Sequence, residues 1–308
     1  MLGYLCAYYR HYHPIEFITA FLNNAANDDD IKNGTTLARL MGIKVTLPKW
    51  GISKRDYFFD KNKQIISKGV SSIKFMGDAI ADELYELSQQ ESFPFFVDLL
   101  RALNTRTSLD SRQLTNLIHV DFFSDFGNQR ELLRICDVFN QFKQGDARQI
   151  KRTTVDGTPL EDIVKRHAVG VTKSGGIAKS YTLLDVMSIL REAETLILSM
   201  KLDDLSDLIK IENFHDVMGY YGYSSGKESD RRKLYIEAIY PLCRKRDNVQ
   251  FGYSVCTKSV GSGKDARFTL FNRIYDQAPI QKGDIIFCKS YERDGPYFTL
   301  TGYEKIIC

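Results

Sequence analysis

Phe251-Gly252-Tyr253-Ser254-Val255-Cys256-Thr257-Lys258-Ser259-Val260-Gly261-Ser262-Gly263-Lys264-Asp265-Ala266-Arg267-Phe268-Thr269-Leu270-Phe271 decides how the end of this chain folds. Two runs rich in β-branched and aromatic residues flank Gly261-Ser262-Gly263, which predicts strands over Phe251 to Thr257 and Arg267 to Phe271 joined by a tight turn. Three similar runs surround them, Leu234 to Ile239, Ile285 to Lys289 and Phe298 to Gly302, with Lys282-Gly283-Asp284 as a second turn. Five short strands in about 75 residues are the size of an OB-like barrel, and an SH3-like barrel fits equally on counting. Alternation puts Phe251, Tyr253 and Val255 on one face and Gly252, Ser254 and Cys256 on the other, without saying which face is outside.

The same segment is basic. The whole chain carries a formal net charge of +3, which implies no partner by itself. From Arg231 to Cys308, however, 14 lysines and arginines stand against 8 acids, an excess of six charges. Arg244, Lys245, Arg246, Lys258, Lys264 and Arg267 interleave with Phe251, Tyr253 and Phe268, the mixture a single-strand groove requires: cations for the backbone and rings for the bases. The alternative is a solvated rim above core aromatics. Gly261 to Lys264 is not a phosphate loop, because Asp265 follows where Ser or Thr is needed.

Upstream, the pattern turns helical. Leu2 to Asn23 is helical across Pro14, and Asp28 to Met41 forms a helix stopped by Gly42. Ile43 to Leu47 is extended, and Tyr57-Phe58-Phe59 and Gln64-Ile65-Ile66 bracket a polar loop as a hairpin. Ala79 to Leu87, Phe95 to Leu103, Ser111 to Ile118 and Gln129 to Asp137 have the spacing of short amphipathic helices. Lys143 to Pro159 is polar and contains Gly145 and Gly157, a candidate linker. Leu160 to His167 and Tyr181 to Lys201 are expected helices, separated by Lys173-Ser174-Gly175-Gly176. The expected fold class is α+β and multi-domain. Residues 1–68 form a helical region with a hairpin, 69–142 a helical module around a second hairpin, 143–230 a linker and helical region, and 231–308 the barrel.

Cys6 to Cys136 resembles the bacterial family C replicative polymerases, the DNA polymerase III alpha subunits. Ala7-Tyr8-Tyr9-Arg10-His11-Tyr12-His13-Pro14-Ile15-Glu16-Phe17 is similar to the family's aromatic, basic fingers helix and the segment it enters. Arg39 to Pro48 resembles "RxMGIKVLPP", Ser72 to Gly77 the "aIKGVG" hairpin, and Asp121 to Arg130 the "GAFDxLGxxR" segment, all in family order. The resemblance implies fingers, a helix-hairpin-helix module and an OB domain. It also implies that the palm, whose three carboxylates hold two magnesium ions, lies upstream of Met1, so catalytic and metal-binding residues are expected to be absent and no cofactor is expected here. Within the hairpin, Lys74, Met76 and Gly77 are the candidate duplex-binding residues, with backbone N–H groups aimed at a phosphate. The family has glycine at both ends of that turn; Phe75 occupies the first here and disfavours positive φ. The structural alternative is that Phe75 and Met76 plug a neighbouring core. A sliding clamp is implied as a partner by resemblance alone, since Gln113 to Ile118, superficially clamp-like, has the spacing of a core helix.

Other chemistry is excluded more simply. The six cysteines have no C-x-x-C pair and are expected to be reduced, mostly core thiols; the five histidines are dispersed, and Asp203, Asp204 and Asp207 fall at an expected helix end. No apolar run reaches the roughly 20 residues of a membrane span, and no signal-like start is present, so a cytoplasmic protein is expected. The expected function is binding and positioning of duplex and single-stranded DNA as a non-catalytic part of a replicative polymerase. The alternative is a stand-alone DNA-binding or assembly protein derived from a polymerase gene.

Overall fold

A computed structural model describes residues 2–172 and 175–306, so Lys173 and Ser174 of the expected loop and Cys308 lie outside the described residues. The chain divides into two compact units, 1–204 and 205–308.

The first unit opens with α1 (Leu2–Tyr12), α2 (Pro14–Asn23) and α3 (Asp28–Leu40). Pro14 sits at the first turn of α2, where its missing N–H costs nothing, and Asn27 caps α3 by accepting from the Asp30 N–H at 2.9 Å. Ile15, Ile18 and Leu22 put one face of α2 against Ala38, Ile43, Tyr57 and Ile66. β1 (Lys44–Thr46) runs parallel to β3 (Ile65–Ser67), which pairs antiparallel with β2 (Phe58–Asp60) as the hairpin pattern predicts.

Four helices follow: α4 (Asp78–Gln90), α5 (Phe96–Arg106), α6 (Ser111–His119) and α7 (Gln129–Gln141). Reciprocal capping boxes start α6 (Asp110 with Gln113) and α7 (Asn128 with Glu131), each satisfying two otherwise orphaned donors. Leu132, Ile135, Val138 and Phe139 form the buried stripe of α7, and Trp50, Phe122, Phe123, Phe96 and Phe126 stack into a contiguous aromatic core.

The stretch beyond residue 143 corrects the sequence reading. It is folded: β4 (Gln149–Lys151), α8 (Arg152–Val155), α9 (Glu161–Arg166), β5 (Ala168–Val171) and β6 (Ile177–Leu183) make a sheet in the order β4-β6-β5. Tyr181 to Leu183, expected as helix, is strand, and the helix α10 (Val186–Ser199) begins only after Asp185, whose carboxylate accepts from the Ser188 N–H. Arg152 ties the sheet together. It donates to the Gly170 and Ala178 carbonyls and stacks on the Tyr181 ring at 4.3 Å, while the Tyr181 hydroxyl donates to Asp156. Glu194 of α10 is 3% exposed and accepts from the Phe96 and Val97 N–H groups at 2.7 and 2.8 Å, capping α5 from 98 residues away.

The second unit begins with α11 (Asp207–Met218), capped by Ser206 and closed by Gly219 in the left-handed region. Five strands then close into a barrel: β7 (Lys233–Cys243), β8 (Gln250–Ser259), β9 (Asp265–Phe271), β10 (Ile285–Asp294) and β11 (Tyr297–Ile306), with the short helix α12 (Asn272–Tyr275) after β9. The order β7-β8-β9-β11-β10, with β10 returning to β7 and one parallel pair between β9 and β11, excludes a purely antiparallel SH3-like meander and is that of an OB-like Greek-key barrel. Gly261 is required at the β8–β9 turn, since a Cβ there would lie 2.5 Å from the Arg231 nitrogen. Among the described cysteines only Cys288 is fully buried, and Cys6 and Cys243 are exposed, contrary to the core expectation. No helix of the described residues is long and apolar enough to cross a membrane.

Candidate nucleic-acid interface

In the first unit, a 3-10 turn (Val70–Ser72) leads through Ile73-Lys74-Phe75-Met76-Gly77 into α4. Ile73 and Met76 are buried at 1% and 6% exposure and anchor the hairpin, with the Met76 N–H donating to the Ile73 carbonyl. This corrects Met76 as a DNA contact: its side chain is core and its amide is engaged. Lys74 and Gly77 are exposed, and Lys74 pairs with no carboxylate among the described residues. Gly77 has φ −78° and open space where a Cβ would stand, so it is not held by backbone strain.

Phe75 behaves otherwise than its chemistry predicts. It adopts φ +68°, and its ring is 56% exposed instead of plugging the core. The α6 helix holds it there. Gln113 Nε2 donates to the Phe75 carbonyl at 2.7 Å, Asn116 Nδ2 donates to the Lys74 carbonyl at 3.3 Å, and the Arg112 guanidinium lies 3.8 Å from the Phe75 ring centroid. Leu117 and Ile118 are fully buried, so Gln113 to Ile118 is a core helix and not an exposed clamp peptide.

In the barrel, Val255 and Thr257 are buried at 0% and 1%, which fixes the phase of β8. Tyr253 shares that phase and packs inward against the core, its ring 4.1 Å from Tyr275. Phe268 is 6% exposed and packs against Phe298 and Tyr291. Phe268 is therefore closed to a base, and the half-buried Tyr253 turns towards the barrel core instead of standing on the outer face. Burial also pushes the nearby Tyr303 phenol up to about 12, and its hydroxyl donates to the Ala278 carbonyl. Lys258 is not a free cation either: its ammonium is 2.6 Å from Asp265 and 3.8 Å from Glu237. Phe251 is half-buried at the strand end, 6.2 Å from Phe271.

The remaining cations stay available. Arg244, Lys245 and Arg246 are exposed on the β7–β8 turn, which is closed by the Arg244 N–H to the Val249 carbonyl. Arg267 is exposed in register with Cys256 on the outer face. Lys264 is exposed too, but at the opposite end of β8. The outer face carries rings that sequence reasoning missed. Tyr240, 56% exposed, is in register with Ser254, and Phe271, 44% exposed, with Gly252; both flank the basic turn. The tip of the β10–β11 hairpin adds Tyr291, Arg293 and Tyr297, on strands longer than the sequence predicts. In OB barrels, strands 2 and 3 with the first and last hairpin loops form the binding face; Arg267 and Phe271 lie on the third strand, Arg244 to Arg246 on the first hairpin turn and Tyr291, Arg293 and Tyr297 beside the last one, with Tyr240 on the adjoining first strand. Among the described residues, no group of three or more His, Cys, Asp or Glu is placed to hold a metal.

Residues 42–133 match a family model described as a helix-hairpin-helix motif, and this span contains the Ile73 to Gly77 turn. Two curated relatives are DNA polymerase III alpha subunits. The one from Ureaplasma parvum is 26% identical over 133 residues, 43% of this chain, and the one from Thermus aquaticus 24% identical over 195 residues, 57% of this chain. The chain spans 14% and 16% of their lengths, so the similarity concerns one portion of those proteins.

Proposed function

We propose, from the similarity to DNA polymerase III alpha subunits, that this chain binds and positions DNA in replication, with the barrel on single-stranded DNA and the hairpin on duplex phosphates. The observation that carries this reading is the bare turn Arg244-Lys245-Arg246 beside the outward rings Tyr240 and Phe271 on an OB-like barrel. Cations there neutralise successive phosphates, and rings accept base faces without regard to sequence. At the hairpin, Lys74 supplies the charge, and the open surface at Gly77 admits a phosphate close to the backbone. Domain roles follow the same division, and a sliding clamp stays a partner by resemblance alone.

The role proposed is one of binding and positioning, with no catalytic step of its own. Titration of labelled oligonucleotides against the full chain at two salt concentrations tests the reading. Salt-dependent binding of single strands is expected, and replacing Arg244, Lys245 and Arg246 together by Ala should lower the salt slope by about two to three. Absence of salt-dependent binding to any DNA would overturn it.

A further inference from the structure

A phenyl ring has no donor to offer a phosphate, yet the fold holds Phe75 exposed at a cost. A large L-residue rarely occupies φ +68°, and a ring 56% exposed gains little burial in return. The position is nonetheless fixed from three sides. Gln113 and Asn116 clamp the carbonyls of Phe75 and Lys74, and Arg112 covers one face of the ring at 3.8 Å. The nearby carboxylates are occupied: Asp78 accepts from Ser71 Oγ at 3.2 Å, and Asp110 accepts from the Gln113 N–H at 2.7 Å. What points to solvent is an apolar ring with a guanidinium behind it, next in sequence to the exposed Lys74.

That combination fits a nucleobase with its flanking phosphates. A base stacks on the free face of the phenyl ring, and the two cations meet the backbone on either side. Within an intact duplex both faces of every base are covered by neighbours, so the ring has nothing to stack on. Base faces open only where the stack is interrupted. We infer that Phe75 is a stacking residue that docks on the base face exposed at an interruption in duplex DNA, a gap or a single-strand/duplex junction. This rests on the hairpin lying against DNA, as proposed above.

The full chain is titrated by fluorescence anisotropy against an intact duplex and the same duplex carrying a one-nucleotide gap. The gap offers less single strand than the roughly four nucleotides an OB-type site requires, so the barrel does not dominate the comparison. Wild type is expected to prefer the gapped duplex by about five- to a hundredfold, the range that one base–aromatic stack provides. F75G should abolish the preference while keeping intact-duplex affinity. Because glycine occupies positive φ freely, F75G should also melt close to wild type, which separates lost stacking from lost folding. F75W should retain the preference. K74A reports on the underlying reading, since it should weaken both substrates alike and lower the salt slope by about one. A preference that survives F75G, or its absence in wild type, overturns the stacking role even where K74A weakens binding. If K74A also changes nothing, the hairpin's contact with DNA fails with it.

Discussion

Replacing Tyr253 and Tyr240 separately by Ala distinguishes the inside of the barrel from its binding face. Tyr253 packs inward, with its ring 4.1 Å from Tyr275 and against the buried cluster around Val255. Removing a fully buried aromatic costs about 3–5 kcal/mol, and Tyr253 is only partly buried. Discounting for that exposure and adding roughly 0.5–1.5 kcal/mol for the lost ring pair gives about 2–3 kcal/mol of barrel stability. Affinity for single strands, corrected for the folded fraction, should not change. Tyr240 is 56% exposed on the outer face beside the basic turn. Its loss should change stability by less than about 0.5 kcal/mol, but weaken single-strand binding by about 1–3 kcal/mol. Urea unfolding and anisotropy titration on the same preparations give both quantities. If Tyr253→Ala weakens binding without destabilising the barrel, or Tyr240→Ala does the reverse, the assignment of faces is refuted.

Other perturbations address the first unit. Glu194→Ala leaves the buried N–H groups of Phe96 and Val97 without their acceptor and should cost about 3 kcal/mol in urea unfolding, an effect Glu194→Gln only halves because its amide accepts with one oxygen. Burial pushes the Lys68 ammonium down to about 7 from its ordinary 10.5, so the unfolded chain holds the proton across that window and the folded chain does not. Stability should therefore rise from pH 7 to 10 by about 1 kcal/mol per pH unit, and Lys68→Met should flatten the profile, as melts at pH 7.5 and 9.5 would reveal. Gly77→Val, which a strained turn would reject, should leave the fold within about 1 kcal/mol, because φ −78° suits any residue and no neighbour is in reach. Purified chain should give no magnesium-dependent primer extension above a contaminant control.

The elements that were legible in the sequence are those with punctuation. Pro14, Gly42 and the Gly261-Ser262-Gly263 turn mark their boundaries, and all five barrel strands stand where alternation and turns place them. Strand phase was not legible in the same way. The row Phe251, Tyr253, Val255 carries rings compatible with either core or surface, and only Val255 and Thr257 at full burial decide it. Tyr181 to Leu183 reads as part of the following helix because Tyr181, Leu183 and Leu184 continue its apolar spacing, although Asp185 with Ser188 is a readable helix start. The polar stretch from residue 143 looked like a linker because its fold rests on Arg152 bonding to carbonyls and a tyrosine, which composition does not reveal. At the hairpin, the intrinsic preference of phenylalanine argued against positive φ, and hydrogen bonds from α6, distant in sequence, overrule it.

The barrel's closure is uneven along its circumference. The β10–β11 hairpin is joined to β9 through only two registered pairs, Phe298 with Phe268 and Thr299 with Thr269, and to β7 through three. Its internal pairing is far longer, from Ile285 with Ile306 to Asp294 with Tyr297. Transient opening of this unit should begin at those two seams, with the hairpin swinging out as one piece while β7, β8 and β9 stay paired. Amides bridging β9 to β11 should accordingly exchange with deuterium well before those of the β8 centre, and a nucleic acid strand spanning the outer face and the hairpin tip would slow that exchange without touching the seam itself.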